Sequence, residues 1–226
     1  MNFLSHYYLE RHHPSPYRTV GALLPDLVQG FNSKLRKSVF NHGLPDDVEH
    51  REIFEGIRRH YAADAAFHGS DFFGHYTALI HARLKESALP SVRFRTYFLA
   101  HVFLEMLLDR LLVKHYPQLC VELYRDLEAA EPGVLASYFS LIGKPGVYSE
   151  FFNNFSRFIS GRFLHYYSDN EMFVKALLRV YQKVNPADAS RDEQKIMMSL
   201  ADELETVHRQ KLLGIFEAMS NHPESA

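Results

Sequence analysis

Only one cysteine, Cys120, and no tryptophan occur in 226 residues. A single thiol excludes an intrachain disulfide framework and a cysteine-based zinc ribbon. No basic or histidine neighbour in sequence marks Cys120 as a nucleophile. An excess of charge of either sign is missing too: 25 Lys and Arg face 27 Asp and Glu, a formal net charge of −2. That balance leaves no electrostatic footprint for duplex nucleic acid, so no nucleic-acid partner is expected. Long apolar runs are absent. The richest stretch, 98–113, is interrupted by His101, Glu105, Asp109 and Arg110, which makes it a poor membrane span and argues against a membrane partner. The opening Met1-Asn2-Phe3-Leu4-Ser5-His6 has neither a basic n-region nor a long apolar h-region, so it does not read as a signal peptide, and a cytoplasmic protein is the default expectation. Strand-type alternation, internal repeats and a phosphate-cradling glycine-rich loop are also lacking.

What is present is core-forming sequence. The apolar share is 46% and the aromatic share 14%, far from a disordered composition. The spacing of apolar residues is helical nearly throughout and predicts an all-α, single-domain multi-helix bundle over 1–226. Lys144-Pro145-Gly146 is a possible joint to a C-terminal helical layer from about 146. Helices are predicted over 3–10, 17–30 (with Pro25 kinking or restarting it, and an end near Gly30), about 47–68, 72–87, 93–116 and 117–129, the last opened by Pro117. Others follow over 134–142, 148–167, 171–184 and 191–219. The polar segment 31–45 reads as a loop, Glu131-Pro132-Gly133 as a turn, Pro90 as a stop and 220–226 as a frayed tail. Asp46 and Glu49 have capping-box-like spacing.

The histidines carry the chemical information: there are 14, and 11 lie in the first 115 residues. His60, Asp64 and His68 are spaced i, i+4, i+8. Each step of four drifts about 40° around a helix, so the three form one stripe, beside small alanines that leave room for a ligand or a close neighbour. His101, Glu105 and Asp109 repeat the spacing on a segment that is otherwise apolar from 99 to 112 except for Arg110. Such a segment is normally buried, and a buried carboxylate needs a partner. The first stripe is its natural counterpart. Imidazoles and carboxylates converging from two helices suit a first-row transition metal better than calcium. His6 and Asp26 are lone ionisable groups within apolar sequence and fit the same site. The bland alternatives are a hydrogen-bonded core histidine at His6, a helix cap at Asp26, surface pairs along the first stripe, and a metal-free buried polar network around His101.

Other patterns say less. Arg58 and Arg59 flank His60, and Arg93 and Arg95 precede the fifth predicted helix; each could meet a phosphate or simply face solvent. The aromatic residues between Tyr148 and Phe173 have the spacing of a packed helix face. Glu205-Thr206-Val207-His208 is a single Glu-x-x-His, whereas di-iron bundles need two.

Two blocks, Met1-Asn2-Phe3-Leu4-Ser5-His6 and Gly21-Ala22-Leu23-Leu24-Pro25-Asp26-Leu27-Val28-Gln29-Gly30, resemble the opening of the acyl carrier protein phosphodiesterases. Ile57-Arg58-Arg59-His60, followed by Asp64 and Ser70-Asp71, resembles that family's next helix. The resemblance covers roughly residues 1–120. It implies an all-α, HD-like arrangement and a divalent metal, manganese above all, with iron or zinc as other options. It also implies release of 4′-phosphopantetheine from acyl carrier protein, and a place for His6, Asp26, His60 and Asp64 near the metal. The chain departs from the pattern at one block: where the family has Asp-His-Phe-Leu, it reads His101-Val102-Phe103-Leu104 and adds Glu105 and Asp109.

The expected site therefore has His6, Asp26, His60, Asp64, His101 and Glu105 as metal ligands, with Asp64 or Glu105 as general base when left out of the ligand set. His68 and Asp109 would orient ligands, and Arg59 or Arg58 would hold a substrate phosphate. The expected activity is metal-dependent phosphodiester hydrolysis, on acyl carrier protein or a small phosphodiester. The alternatives are a non-catalytic helical binding or scaffold protein with a buried His/carboxylate network, and a different small-molecule hydrolase on the same scaffold.

Overall fold

The computed structural model describes residues 1–28, 32–87 and 94–220, with only the backbone for 32–34. Gln29, Gly30, Pro90, Arg93 and the tail 221–226 lie outside the described residues. The rest is an all-α bundle with no strand among the described residues. Its helices are α1 (Phe3–Glu10), α2 (Pro16–Leu27), α3 (Asn32–His42), α4 (Val48–His68), α5 (Asp71–Glu86) and α6 (Thr96–His115). They continue as α7 (Gln118–Glu128), α8 (Pro132–Leu141), α9 (Pro145–Gly161), α10 (Asn170–Gln182) and α11 (Arg191–Ser220), with a 3₁₀ segment, Phe163–Ser168, between α9 and α10. No described helix is long and apolar enough to cross a membrane.

Local chemistry sets most boundaries. Ser15 caps α2, with Pro16 at its first position. Ser70 caps α5 by accepting from the Phe73 N–H, so Ser70-Asp71 is a helix start and not part of the polar site. Asp47, not Asp46, caps α4: its carboxylate accepts from the His50 N–H at 3.0 Å. Pro132 starts α8 instead of sitting in a turn. The largest departure is α3, in the segment expected to be a loop. Leu35 and Val39, one helical turn apart, are both fully buried, and Phe40 rests against the Phe54 and Tyr61 rings; these three anchor a helix of otherwise polar sequence.

Helix α6 is the hub. It packs against α1, α5, α7, α10, α11 and the 3₁₀ segment, and fourteen of its residues are buried, as expected for a helix apolar on nearly every side. Its one buried cation, Arg110, ties the C-terminal helices to it. The guanidinium donates to the Tyr167 carbonyl at 2.8 Å and to Asn170, and pairs with Asp202 and Glu205 at 3.3 Å. Arg110→Ala should lower stability by about 2 kcal/mol, because carbonyls and carboxylates lose a donor while Asp202 and Lys114-paired Glu205 keep some compensation. The urea midpoint measures this, and an unchanged midpoint would refute it.

A second contact positions the polar residues. Helices α2 and α4 cross where Gly21 meets Gly56. A Cβ on Gly21 would fall 2.2 Å from the Ile53 carbonyl oxygen, and one on Gly56 would fall 2.3 Å from that of Arg18. Backbone contact this close is possible only for glycine. It brings the Asp26 end of α2 against the His60 face of α4.

Candidate metal centre

His6 of α1 and His60 of α4 stack ring on ring, with centroids 3.9 Å apart and planes inclined by 22°. Both are buried. His60 Nδ1 donates to the Ala22 carbonyl at 2.8 Å, which fixes the ring and, in the neutral form, leaves a lone pair on Nε2. That nitrogen faces Asp64 Oδ2 at 3.4 Å and Asp26 Oδ1 at 3.9 Å, and His6 Nε2 faces Asp64 Oδ1 at 3.3 Å. None of these approaches has hydrogen-bond geometry. Nε2 of His6, Nε2 of His60 and Oδ2 of Asp26 are all buried without a hydrogen-bond partner. Ligand atoms of His6, Asp26 and His60 lie within 4.8 Å of one another. Buried lone pairs turned toward each other are costly unless a cation sits among them, so this buried His/Asp/His triad could hold a metal ion.

The electrostatics are divided: burial opposes charge on His60, but Asp26, Asp64 and the Ala22 carbonyl raise its pKa above the usual imidazole range. Burial, reinforced by the neighbouring His60, pushes His6 down to about 3. Burial also raises Asp26 to about 6, against the pull of His60 and the Met1 amine. Asp64 is held far below the usual carboxylate range: burial opposes this, and His6, His60 and the Met1 amine outweigh it.

Glu105 gathers a second cluster. Its Oε1 accepts from His68 Nε2 at 3.0 Å, His101 Nε2 at 3.1 Å and the Met1 amine at 3.0 Å. The same amine donates to Asp64 Oδ1 at 2.7 Å and so bridges the clusters. Burial alone would deprotonate that amine, but Glu105 and Asp64 raise its pKa to about 11. The ligand atoms of His68, His101 and Glu105 are also close enough to hold an ion. Unlike those of the first cluster, they are already hydrogen-bonded to one another.

The expected residues are thus brought together in two groups, not one. His6, Asp26 and His60 converge, with Asp64 beside them. His101 and Glu105 meet His68, which is a direct member of that cluster and not only an orienter behind it. Asp109 does not join the α4 stripe. Its carboxylate accepts from the Leu4 and Ser5 N–H groups at 3.0 and 2.8 Å and from Ser5 Oγ at 2.7 Å. It therefore caps α1, whose own N-cap residue Asn2 makes no side-chain capping bond, and holds the helix that carries His6. Arg59 spends Nε on Glu10 Oε1 at 2.8 Å, while its Nη1 is buried without a partner. It lines a cavity of about 210 Å³ together with His6, His60 and Ala63. Arg58 pairs with Glu55 at 2.7 Å, and Arg95 only precedes α6. Glu205 serves Arg110 and Lys114, and the buried Cys120 thiol is pushed up to about 12 by burial, so neither belongs to the site.

Sequence reasoning missed the Met1 amine, for which no side-chain pattern exists. It also missed a basic face on α10, although Lys175, Arg179 and Lys183 repeat the i, i+4, i+8 spacing that revealed the α4 stripe. Comparison with family models, curated proteins and solved structures gives no match.

Proposed function

We propose that the protein is a metal-dependent phosphodiester hydrolase on an HD-like helical scaffold, acting on holo acyl carrier protein or on a small phosphodiester. One observation carries the reading: ligand atoms of His6, His60 and Asp26 lie within 4.8 Å of one another, and Nε2 of both histidines and Oδ2 of Asp26 are buried without a hydrogen-bond partner. Three protein ligands of this kind are the pattern of a catalytic centre with open coordination positions. Imidazole and carboxylate donors suit manganese, iron or zinc. Such an ion would supply Lewis acidity toward a phosphoryl oxygen.

The chain's own groups divide the remaining work. The Ala22 carbonyl holds the His60 ring in its tautomer. Asp64 stays ionised between both imidazoles and the Met1 amine, which hold it far below the usual carboxylate range, so it balances their charge and is a poor proton acceptor. Arg59, whose Nη1 has no hydrogen-bond partner, lines a cavity with His6 and His60 and would neutralise charge on a phosphoryl group there. Glu105 already serves three donors, is likewise held well below the usual carboxylate range, and is no better a base.

A second reading, a binding or scaffold protein with a structural polar network, is favoured by one feature: the Glu105 cluster is closed by its own hydrogen bonds. Elemental analysis after supplying manganese, iron and zinc in turn separates the two, followed by turnover of bis(p-nitrophenyl) phosphate and holo acyl carrier protein. The expected result is metal retained by the wild type and lost from His60→Ala, with activity down by about 100-fold or more. No retained metal under any of the three conditions would overturn the enzymatic reading and leave the network.

A further inference from the structure

A groove of about 670 Å³ opens beside the first cluster and includes Asp26 in its wall. Its other walls come from α1, α9, the 3₁₀ segment and α10, and most of it belongs to the C-terminal third. Two chemistries line it. One is aromatic: Phe3, Phe158, Phe163 and Tyr166 line it. Phe158 is buried by the packing of the bundle, whereas Tyr166 is 54% exposed, an unusual position for a large ring in an otherwise packed aromatic stretch. The other is cationic: Arg157 of α9 meets Lys175, Arg179 and Lys183 of α10. Spaced four apart, the three α10 residues follow one helix face for about 12 Å at 1.5 Å per residue.

Among the described residues, three of these four cations have no ion pair. Lys175 reaches Glu171 at 3.4 Å on the exposed surface, but among the described residues Arg157, Arg179 and Lys183 form no ion pair within 4 Å. Lys183 lies near enough to Arg179 and Asp26 to feel both: burial and Arg179 lower its pKa, while Asp26 opposes. Cations at the end of α10 also complement the helix dipole. That accounts for Arg179 and Lys183, but not for Arg157, which comes from another helix to the same groove. Like charges are costly to assemble without an anion. Aromatic rings beside them offer a stacking surface for a flat group.

We propose that this groove binds an organophosphate with a flat aromatic portion, of the nucleoside diphosphate class. Arg157, Arg179 and Lys183 hold its phosphates, and Tyr166 and Phe163 stack on its ring. The inference rests on the reading of the adjacent cluster as a phosphodiesterase centre, because Asp26 belongs to both. It gives the C-terminal third a role as the specificity element.

Calorimetric titration with ADP, ribose 5-phosphate and adenosine, in the presence of a chelator, tests binding apart from turnover. ADP should bind the wild type, and adenosine and ribose 5-phosphate more weakly. Arg179→Ala/Lys183→Ala should weaken ADP by about tenfold or more and leave adenosine unchanged. Tyr166→Ala should weaken ADP by about tenfold. All three residues are exposed, and unchanged melting temperatures show that the variants are folded. His60→Ala should bind ADP like the wild type. Absence of ADP binding, or equal ADP affinity in the wild type and Arg179→Ala/Lys183→Ala, overturns the inference. Ribose 5-phosphate binding as tightly as ADP overturns its aromatic half. Metal retention without ADP binding sinks the groove alone, whereas ADP binding without metal retention sinks only the metal reading.

Discussion

Gly56→Ala is expected to cost about 3 kcal/mol and to abolish metal retention at the His6–Asp26–His60 cluster. The added methyl would lie 2.3 Å from the Arg18 carbonyl oxygen, 2.7 Å from the Ala22 nitrogen and 2.8 Å from the Gly21 Cα. All three are backbone atoms, so no side chain can turn away, and α2 must move off α4. That shift takes the Ala22 carbonyl from His60 Nδ1 and Asp26 from His60 Nε2 together, since both belong to α2. Gly74→Ala is the matched control. Its Cβ meets nothing within 4 Å on helix α5, and the exchange should stabilise by up to about 1 kcal/mol. Urea midpoints and metal content of the two variants make the comparison. Similar midpoints for both would show that the crossing does not depend on glycine.

Asp109→Ala should be the most damaging single change, at about 4 kcal/mol. The carboxylate is fully buried and serves three donors at the start of α1. Its removal leaves the Leu4 and Ser5 N–H groups and the Ser5 hydroxyl unsatisfied in the core. Asp109→Asn keeps the shape and one acceptor oxygen, but turns an NH₂ group toward a donor, so an intermediate loss is expected. Because His6 follows Ser5 directly, the variant should also speed amide exchange through α1. Wild-type protection of α1 in Asp109→Ala would contradict the capping role.

Much of this architecture was legible in the sequence, for identifiable reasons. Helix α6 announced itself because apolar residues surround its axis, and α4 because His60, Asp64 and His68 recur every four residues beside alanines. Helix α3 was hidden because few of its residues anchor it, Leu35 and Val39 by burial and Phe40 by ring contacts, and a few apolar residues in a polar segment look like a loop. The division of the polar residues into two clusters was hidden for a different reason. It depends on how closely α2 approaches α4, which two glycines set and no spacing along one helix reveals. Asp109 was read with its own stripe, yet it lies one turn beyond Glu105 and reaches the start of α1. Its partners are main-chain N–H groups, which every sequence possesses and none advertises.

His60, Asp64 and His68 hang from consecutive turns of one uninterrupted helix, so the interval between the two clusters is a property of the α-helical repeat and not of any loop. From His60 to His68 it is about 12 Å along the axis. Changing it would require inserting or deleting residues in α4, which would also rotate the following turn by about 100° per residue and carry His68 off the face it shares with His60. The two halves of the polar interior are therefore locked in register: substitution can empty or refill either one, but only a change in chain length can move them apart.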